Sequence, residues 1–284
     1  MKKNKLLRRL TAALLAAVLT LSIALPVFAS DDSDTIYINS VSDLLSLAKS
    51  CAYDQWSVGK TVILQKDLSL EGMLWEPIPS FSGQFKGNGH TISDLTITGQ
   101  YSPAGLFGIV EEQGSIESLS VRGIVSVSDS ADTTTGGIVG INHGTLINCQ
   151  FTGVVTGDSE VGGIVGRNES EGTIDHSTAR AIVTGKSSTG GIAGYNLGAI
   201  TGCTNVGSIN TEYQEASLDT DGFTAKMVDQ INNKMAAADD DATNSVTNVA
   251  TDTGGIAGRS SGMILTSVNT GTIGYEHVGY NVGG

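Results

Sequence analysis

The chain has 284 residues, 16 basic and 29 acidic side chains for a net charge of −13, and 37 glycines against 4 prolines and 3 cysteines. That balance excludes the basic footprint that nucleic acids and anionic membrane surfaces require. Glycine this far above its usual ~7% belongs in tight turns with left-handed backbone rather than in helices, and three cysteines do not make a disulfide framework.

Residues 1–29 read as an export signal. Lys2, Lys3, Lys5, Arg8 and Arg9 precede an apolar run from Leu10 to Val27, and Val27-Phe28-Ala29 supplies a small residue for cleavage after Ala29. The run is long enough that an uncleaved anchor is the alternative. Cys51 is too distant from the cut for a lipoprotein anchor. Removing the signal leaves 11 basic against 29 acidic residues, a balance of −18. An acidic exterior that keeps an extracellular protein soluble is preferred over an acidic binding patch. The expected address is secreted or cell-surface, with no membrane contact in the mature form unless the signal is retained.

Residues 30–104 read as an N-terminal cap and the first coils. Ser42-Asp43-Leu44-Leu45-Ser46-Leu47-Ala48 is a short helix whose apolar face can close an open core end. Thr61-Val62-Ile63-Leu64 and Phe85 through Ile97 are opening strands, and Trp56 and Trp75 supply bulk for a plug.

Residues 105–210 hold four copies of one motif: Gly105-Leu106-Phe107-Gly108, Gly137-Ile138-Val139-Gly140, Gly163-Ile164-Val165-Gly166 and Gly191-Ile192-Ala193-Gly194. Gly255-Ile256-Ala257-Gly258 is a fifth, beyond an insertion at 211–253, and residues 254–284 resume the repeats before stopping mid-motif at Gly283-Gly284. Each unit continues with a turn glycine, an aliphatic two residues on (Ile116, Leu146, Ile174, Ile200, Ile264), a small residue, and a Gly-x-Val/Ile pattern. Two or three runs of three to five residues per unit, bounded by Gly, Asn, Ser or Thr, are short strands without a helical stripe. The predicted fold is all-β, a single-stranded parallel β-helix of about 26–29-residue coils with an N-terminal helical cap and one helical insertion. A β-propeller is disfavoured, because its blades are longer.

Stacking of equivalent positions predicts three columns. Asn142, Asn168 and Asn196, with Ser260 last, form a row of side chains bonding along the stack, a structural reading preferred over a ligand-binding amide row. Ile109, Ile141, Arg167, Tyr195 and Arg259 form an outer stripe. It either packs on itself, the preferred reading, or grips sugars through Arg and Tyr. Cys149 and Cys203 are equivalent residues two repeats apart, about 10 Å at strand spacing, beyond the ~7 Å limit for a bridge. They are expected to be free, buried thiols, with Leu119, Ser177 and Ser267 in the same column.

The insertion carries an amphipathic helix, with Phe223, Met227, Ile231 and Met235 at four-residue spacing and Asp239-Asp240-Asp241 at its end. Packing on the coil is preferred over display to a partner. The bare final coil, with unpaired strand edges, predicts further C-terminal domains.

Phe81-Ser82-Gly83-Gln84-Phe85-Lys86-Gly87-Asn88-Gly89-His90-Thr91-Ile92, followed by Gly105-Leu106-Phe107-Gly108 and the Gly-Gly-Ile-Val-Gly repeats, resembles the GLUG-motif family of bacterial exported proteins. The resemblance implies a β-helix found in surface adhesins and in accessory regions of IgA-specific metalloproteases, and it carries no catalytic residue. The expected function is a non-catalytic secreted or cell-surface module, a stalk or adhesin-like binding region. The alternative is the N-terminal accessory region of a larger secreted metalloprotease or polysaccharide-degrading enzyme. Implied partners are host or cell-wall glycans or surface proteins.

Enzymatic motifs fail on spacing. His90, His143, His176 and His277 form no His-Glu-x-x-His zinc site, and no stacked Asp–Asp–Arg set suggests sugar cleavage. Gly59-Lys60-Thr61 resembles the end of a phosphate loop, but Asp54 stands where its first glycine belongs. Asp219-x-Asp221-Gly222 echoes a calcium loop without the downstream Glu, so the chain is read as calcium-independent. No catalytic residue, metal ligand or cofactor is assigned, and no ligand-binding residue is singled out.

Overall fold

The repeat's short apolar runs fold into four strands per turn. The computed structural model describes residues 34–53, 55–127, 133–211 and 250–274, and the strand 278–283. The export signal, the insertion's amphipathic stretch, and Asp54, Asp219, Asp221 and His277 lie outside the described residues. One turn runs through Ser159–Gly162, Val165–Asn168, Thr173–Asp175 and Thr178–Thr184, here the first to fourth faces of a parallel β-solenoid. Each strand pairs in parallel with its counterparts in the turns before and after. Thr145 lies beside Thr173 and Thr173 beside Ala199, steps of 28 and 26 residues. The sheets contain five, six, eight and nine strands on the first to fourth faces.

The stacking places matching aliphatics over one another. Ile138, Ile164 and Ile192 are fully buried, and each donates its backbone N–H to the next one's carbonyl at 3.0 Å, or 2.8 Å from Ile192 to Ile256. On the third face Phe85, Ile116, Leu146, Ile174 and Ile200 form a second buried column, in direct register. Each fully buried aliphatic contributes about 1.5–3 kcal/mol, offset by the chain entropy of ordering its turn. In the last described turn Ile264 is 39% exposed.

The sequence reading found two or three strands where there are four. The strand it missed is the first-face one, as short as Thr135–Gly136 and without apolar alternation. A second correction concerns glycine. None of the Gly-x-x-Gly glycines has positive φ; they stand where chain approaches chain. A Cβ on Gly166 would lie 2.6 Å from the backbone nitrogen of Thr135, and one on Gly140 would lie 2.8 Å from that of Ala104. The closing glycine therefore lets the first and second faces press together. The opening glycine faces the fourth-face side chains: a Cβ on Gly137 would run into the Phe151 ring, with Cδ1 at 2.6 Å and Cγ closer still, and one on Gly163 would lie 2.9 Å from the Ala179 Cβ. Left-handed backbone goes instead mostly to polar residues. At the corner between the third and fourth faces stand Ser118, Asn148, His176, Gly202 and Thr266, with φ between 45° and 62°. Asn and His are among the residues that tolerate this region best.

The N-terminal end is closed as the sequence reading expects. Ser40 accepts the Asp43 N–H at 3.2 Å and caps the helix Val41–Ser50, which buries Leu44 and Leu47. Trp75 is 2% exposed and donates its indole N–H to the Leu106 carbonyl at 3.1 Å. Phe81, Phe85 and Phe107 fill the space beside it, with ring centroids 5.4–6.3 Å apart. Trp56 is only partly buried, with the Lys60 ammonium 5.4 Å from its ring centre.

Candidate functional site

The second face carries the two columns with functional chemistry. Its strands present one side chain inward, at the Asn position, and its neighbour outward, at the Arg/Tyr position. Inside, Asn142 donates through Nδ2 to Asn168 Oδ1 at 2.8 Å, Asn168 to Asn196 Oδ1 at 2.8 Å, and Asn196 to Ser260 Oγ at 3.1 Å. The same Nδ2 groups also reach the carbonyls of Gly144, Gly172 and Gly198. All three asparagines are fully buried, so the row binds turn to turn and offers nothing to a ligand. Its first member, Asn142, sits below Val110, and its Oδ1 is buried without a donor. The row costs something where the pattern begins.

Outside, Ser80, Ile109, Ile141, Arg167, Tyr195 and Arg259 are in register, one per turn. The Arg167 guanidinium lies 5.1 Å from the Tyr195 ring centre and that of Arg259 lies 5.5 Å from it. With an arginine from the turn on either side, the ring cannot stack a sugar without displacing one of them. Arg167 is further held by Glu160 at 2.8 Å and Glu169 at 2.6 Å. Burial works against its charge, but the two carboxylates outweigh it and hold the guanidinium above its ordinary value. Arg259 is exposed and stacks on Tyr195 from the other side. The stripe is therefore mainly a packing ladder, with a cationic edge at Arg259.

The third column lies at the corner between the third and fourth faces. Cys149 and Cys203 are free and buried, and Ser177 occupies the rung between them. The Cys149 N–H donates to Ser177 Oγ at 3.1 Å, the Ser177 N–H to Cys203 Sγ at 3.4 Å, and the Cys203 N–H to Ser267 Oγ at 3.2 Å. Each hydroxyl or thiol also reaches the carbonyl two residues back. From Cys149 on, each rung of the corner takes a small side chain that both donates and accepts, which fits the Ser/Cys alternation after Leu119. Desolvation pushes the Cys149 thiol up to about 12 and the Cys203 thiol to about 11, so neither is a nucleophile at neutral pH.

Among the described residues, no three His, Cys, Asp or Glu side chains gather as metal ligands. His90 lies 3.2 Å from Asp67, and His176 lies 2.8 Å from Asp175 on another turn. On the third face Glu117 and Asp175 flank Ile147, which separates them by two rungs, about 10 Å. A groove of about 500 Å³ near the cap is lined by Gln55, Ser80, Glu111 and His143, with the Ser80 hydroxyl donating to Glu111 at 2.7 Å. A second, about 620 Å³, lies between the cap helix, the loop bearing Leu74 and Pro77, and Pro79 of the strand Ile78–Phe81. Sequence reasoning missed both, because each is assembled from segments that show no motif.

Comparison with known proteins agrees with this architecture. The GLUG motif matches residues 157–184. That stretch is one complete turn, from the corner before Ser159 to the end of the fourth-face strand at Thr184. Halomucin of Haloquadratum walsbyi is 32% identical over 155 residues, half of this chain and 2% of that protein. A "Putative Gly-rich membrane protein" of Evansella cellulosilytica is 29% identical over 137 residues, 35% of this chain and 16% of that protein. The chain thus spans a small part of these relatives' length. Among solved structures, a "putative immunoglobulin A1 protease" from Bacteroides ovatus superposes with a TM-score of 0.57 at 19% identity, over 89% of this chain and 75% of the other. At that identity the likeness is one of fold.

Proposed function

We propose that the chain is a non-catalytic module of an exported protein, a β-solenoid that serves as a stalk or adhesin-like surface at the outside of the cell. One observation carries this reading: the polar columns of the second face and of the third-to-fourth corner spend their side chains on contacts within the stack, turn against turn. Asn168, Arg167 and Ser177 each bond to residues one motif away, so the repeat's chemistry goes into propagating the stack. An extended object built this way separates or presents whatever is attached to it. The names of the relatives fit, since one is called a membrane protein and another a mucin-like name, each far longer than the matched region.

The test is surface shaving of intact producing cells, followed by detection with antibody against residues 34–211. The reading expects the epitope to be lost without lysis; a signal confined to the cytoplasm contradicts it. The likeness to an immunoglobulin A1 protease favours a second reading, an accessory region of a secreted enzyme. Peptide and glycan hydrolysis by the isolated chain is expected to be absent under both. Saturable retention on a glycan or host-protein array is expected only if the module itself adheres.

A further inference from the structure

The second face passes into the third through a corner whose length varies from turn to turn. Near the cap, three successive corners border the polar groove of about 500 Å³. Backbone bonds stack them: the Glu111 N–H donates to the Phe81 carbonyl at 2.9 Å, and the His143 N–H to the Val110 carbonyl at 2.8 Å. Ser82, then Glu111 to Gln113, then His143 thus follow one another along the axis, and Gln55 of the loop after the cap helix also lines the groove.

Two observations separate this groove from the packing ladders. A carboxylate that is neutralised elsewhere is not neutralised here. Glu169, at the same corner two turns on, is held by Arg167 at 2.6 Å. Its counterpart is Glu111, but the counterpart of Arg167 is Ile109. Among the described residues Glu111 therefore receives the Ser80 hydroxyl at 2.7 Å and no cation, and the side chain of exposed Glu112 has no partner. The second observation is Ser82, which is 9% exposed. Its backbone N–H donates to Ser57 Oγ at 2.9 Å, while its hydroxyl bonds to none of the described residues. That hydroxyl is not sealed off as those of Thr135 and Thr189 are, so it opens on the groove that Ser82 lines. Leaving a largely buried polar group without a bond is costly, and a ligand would supply the bond.

We propose that this groove binds an amino sugar, a hydroxyl-bearing ring with an ammonium group. Its volume is that of a small-ligand site. Sugar hydroxyls both donate and accept, which matches the amides of Gln55 and Gln113, the Ser82 hydroxyl and the His143 imidazole. The ammonium matches Glu111 and Glu112, and the same carboxylates repel an acidic sugar, since none of the described lining residues is Lys or Arg. The inference gives a ligand class to the adhesin-like reading above and rests on it.

Equilibrium dialysis of the full chain at about pH 6, where amines are protonated and carboxylates ionised, tests this. The probe is a glucosamine trimer, which is expected to bind. Its N-acetylated counterpart lacks the charge and is expected to bind about tenfold or more weakly, and a uronic acid trimer is expected not to bind. Glu112→Gln, at an exposed position, is expected to weaken binding about tenfold, and Ser82→Ala about threefold or more. Glu171→Gln, in the equivalent corner two turns on, is expected to change nothing. Binding that survives both groove variants unchanged overturns the site. No binding, or equal binding of the N-acetylated trimer, overturns the ligand class. Tighter binding of trilysine than of the sugar overturns it too, and gives the groove to a basic peptide. None of these results depends on where the chain resides, so surface shaving can succeed while this inference fails, and the reverse.

Discussion

Asn168 donates through Nδ2 to Oδ1 of Asn196, 2.8 Å away and 28 residues on, with both side chains fully buried. The pair is one rung of a row that also takes in Asn142; Asn168 and Asn196 both give and receive, whereas Asn142 only gives. Replacing Asn168 by Ala leaves Asn196 Oδ1 without its donor and opens a small cavity. A loss of about 2–4 kcal/mol is expected, read as a lower denaturation midpoint with little change in slope. Asn168→Asp places a carboxylate beside the Asn196 oxygen, and burial favours its protonated form. Its folded pKa rises above the unfolded one, so this variant is expected to be most stable in acid and to lose stability as pH rises through the folded pKa.

The closing glycines give a sharper contrast. Gly166→Ala places a methyl 2.6 Å from the Thr135 nitrogen, within backbone that cannot yield cheaply. It is expected to cost about 3 kcal/mol or more, at the upper end of what overpacking does. Gly59 has φ of 73° but open space around its Cβ position. Gly59→Ala is expected to cost only about 1–2 kcal/mol, the strain of a left-handed alanine. Thermal midpoints of the two variants check the ranking, and equal losses would show that close approach is not what the motif glycines provide.

How much of this was legible in the sequence depended on what kind of signal each feature leaves. The Asn row, the Arg/Tyr stripe and the Cys/Ser corner were readable because equivalent residues recur at nearly constant spacing, and stacking converts spacing into contact. Helix Val41–Ser50 and strand Thr61–Leu64 announced themselves by local pattern. The first-face strands did not, since two-residue pieces such as Thr135–Gly136 have no alternation to detect. Left-handed corners hid behind Asn148 and His176, residues that also suit ordinary turns. The facing of the fourth-face valines hid for another reason: Val154-Val155 reads as one apolar run, and only the register shows that Val155 enters the core while Val154 does not. The order of the stripe was readable, but only the distances show both guanidiniums stacked on the Tyr195 ring.

The thiols predict behaviour at high pH. Burial raises Cys51 to about 11, Cys149 to about 12 and Cys203 to about 11, from an ordinary 9.0. The folded state holds these protons more tightly than the unfolded chain does. Stability is therefore fully present below pH 9 and falls as pH rises from 9 toward 12. Cys149→Ser keeps the donor and acceptor that Ser177 supplies one turn on. It is expected to change stability by less than about 1 kcal/mol at pH 7 and to shift the alkaline unfolding midpoint upward. A disulfide reagent should react with the wild type only on unfolding.

Tyr195→Ala removes the ring between Arg167 and Arg259. Each cation–π contact at a partly exposed site contributes about 0.5–1 kcal/mol, so a loss of about 1–2 kcal/mol is expected. Arg167→Ala leaves Glu160 and Glu169 without their shared cation, and its cost should shrink as salt is raised. Denaturation at low and high ionic strength separates the two, since the loss in Tyr195→Ala should depend less on salt.

Continuous register, one motif per rung, underlies every inference above, and a cross-link reads it directly. Ile147 and Asp175 are partners on the third face, with Glu117 one rung before Ile147. In a chain whose native cysteines are serine, Ile147→Cys with Asp175→Cys places the Cα atoms about 4.8 Å apart, within disulfide range, while Glu117→Cys with Asp175→Cys places them about 10 Å apart. Mild oxidation should join the first pair and leave the second unjoined. A bridge between 117 and 175, with none between 147 and 175, would contradict the stacking.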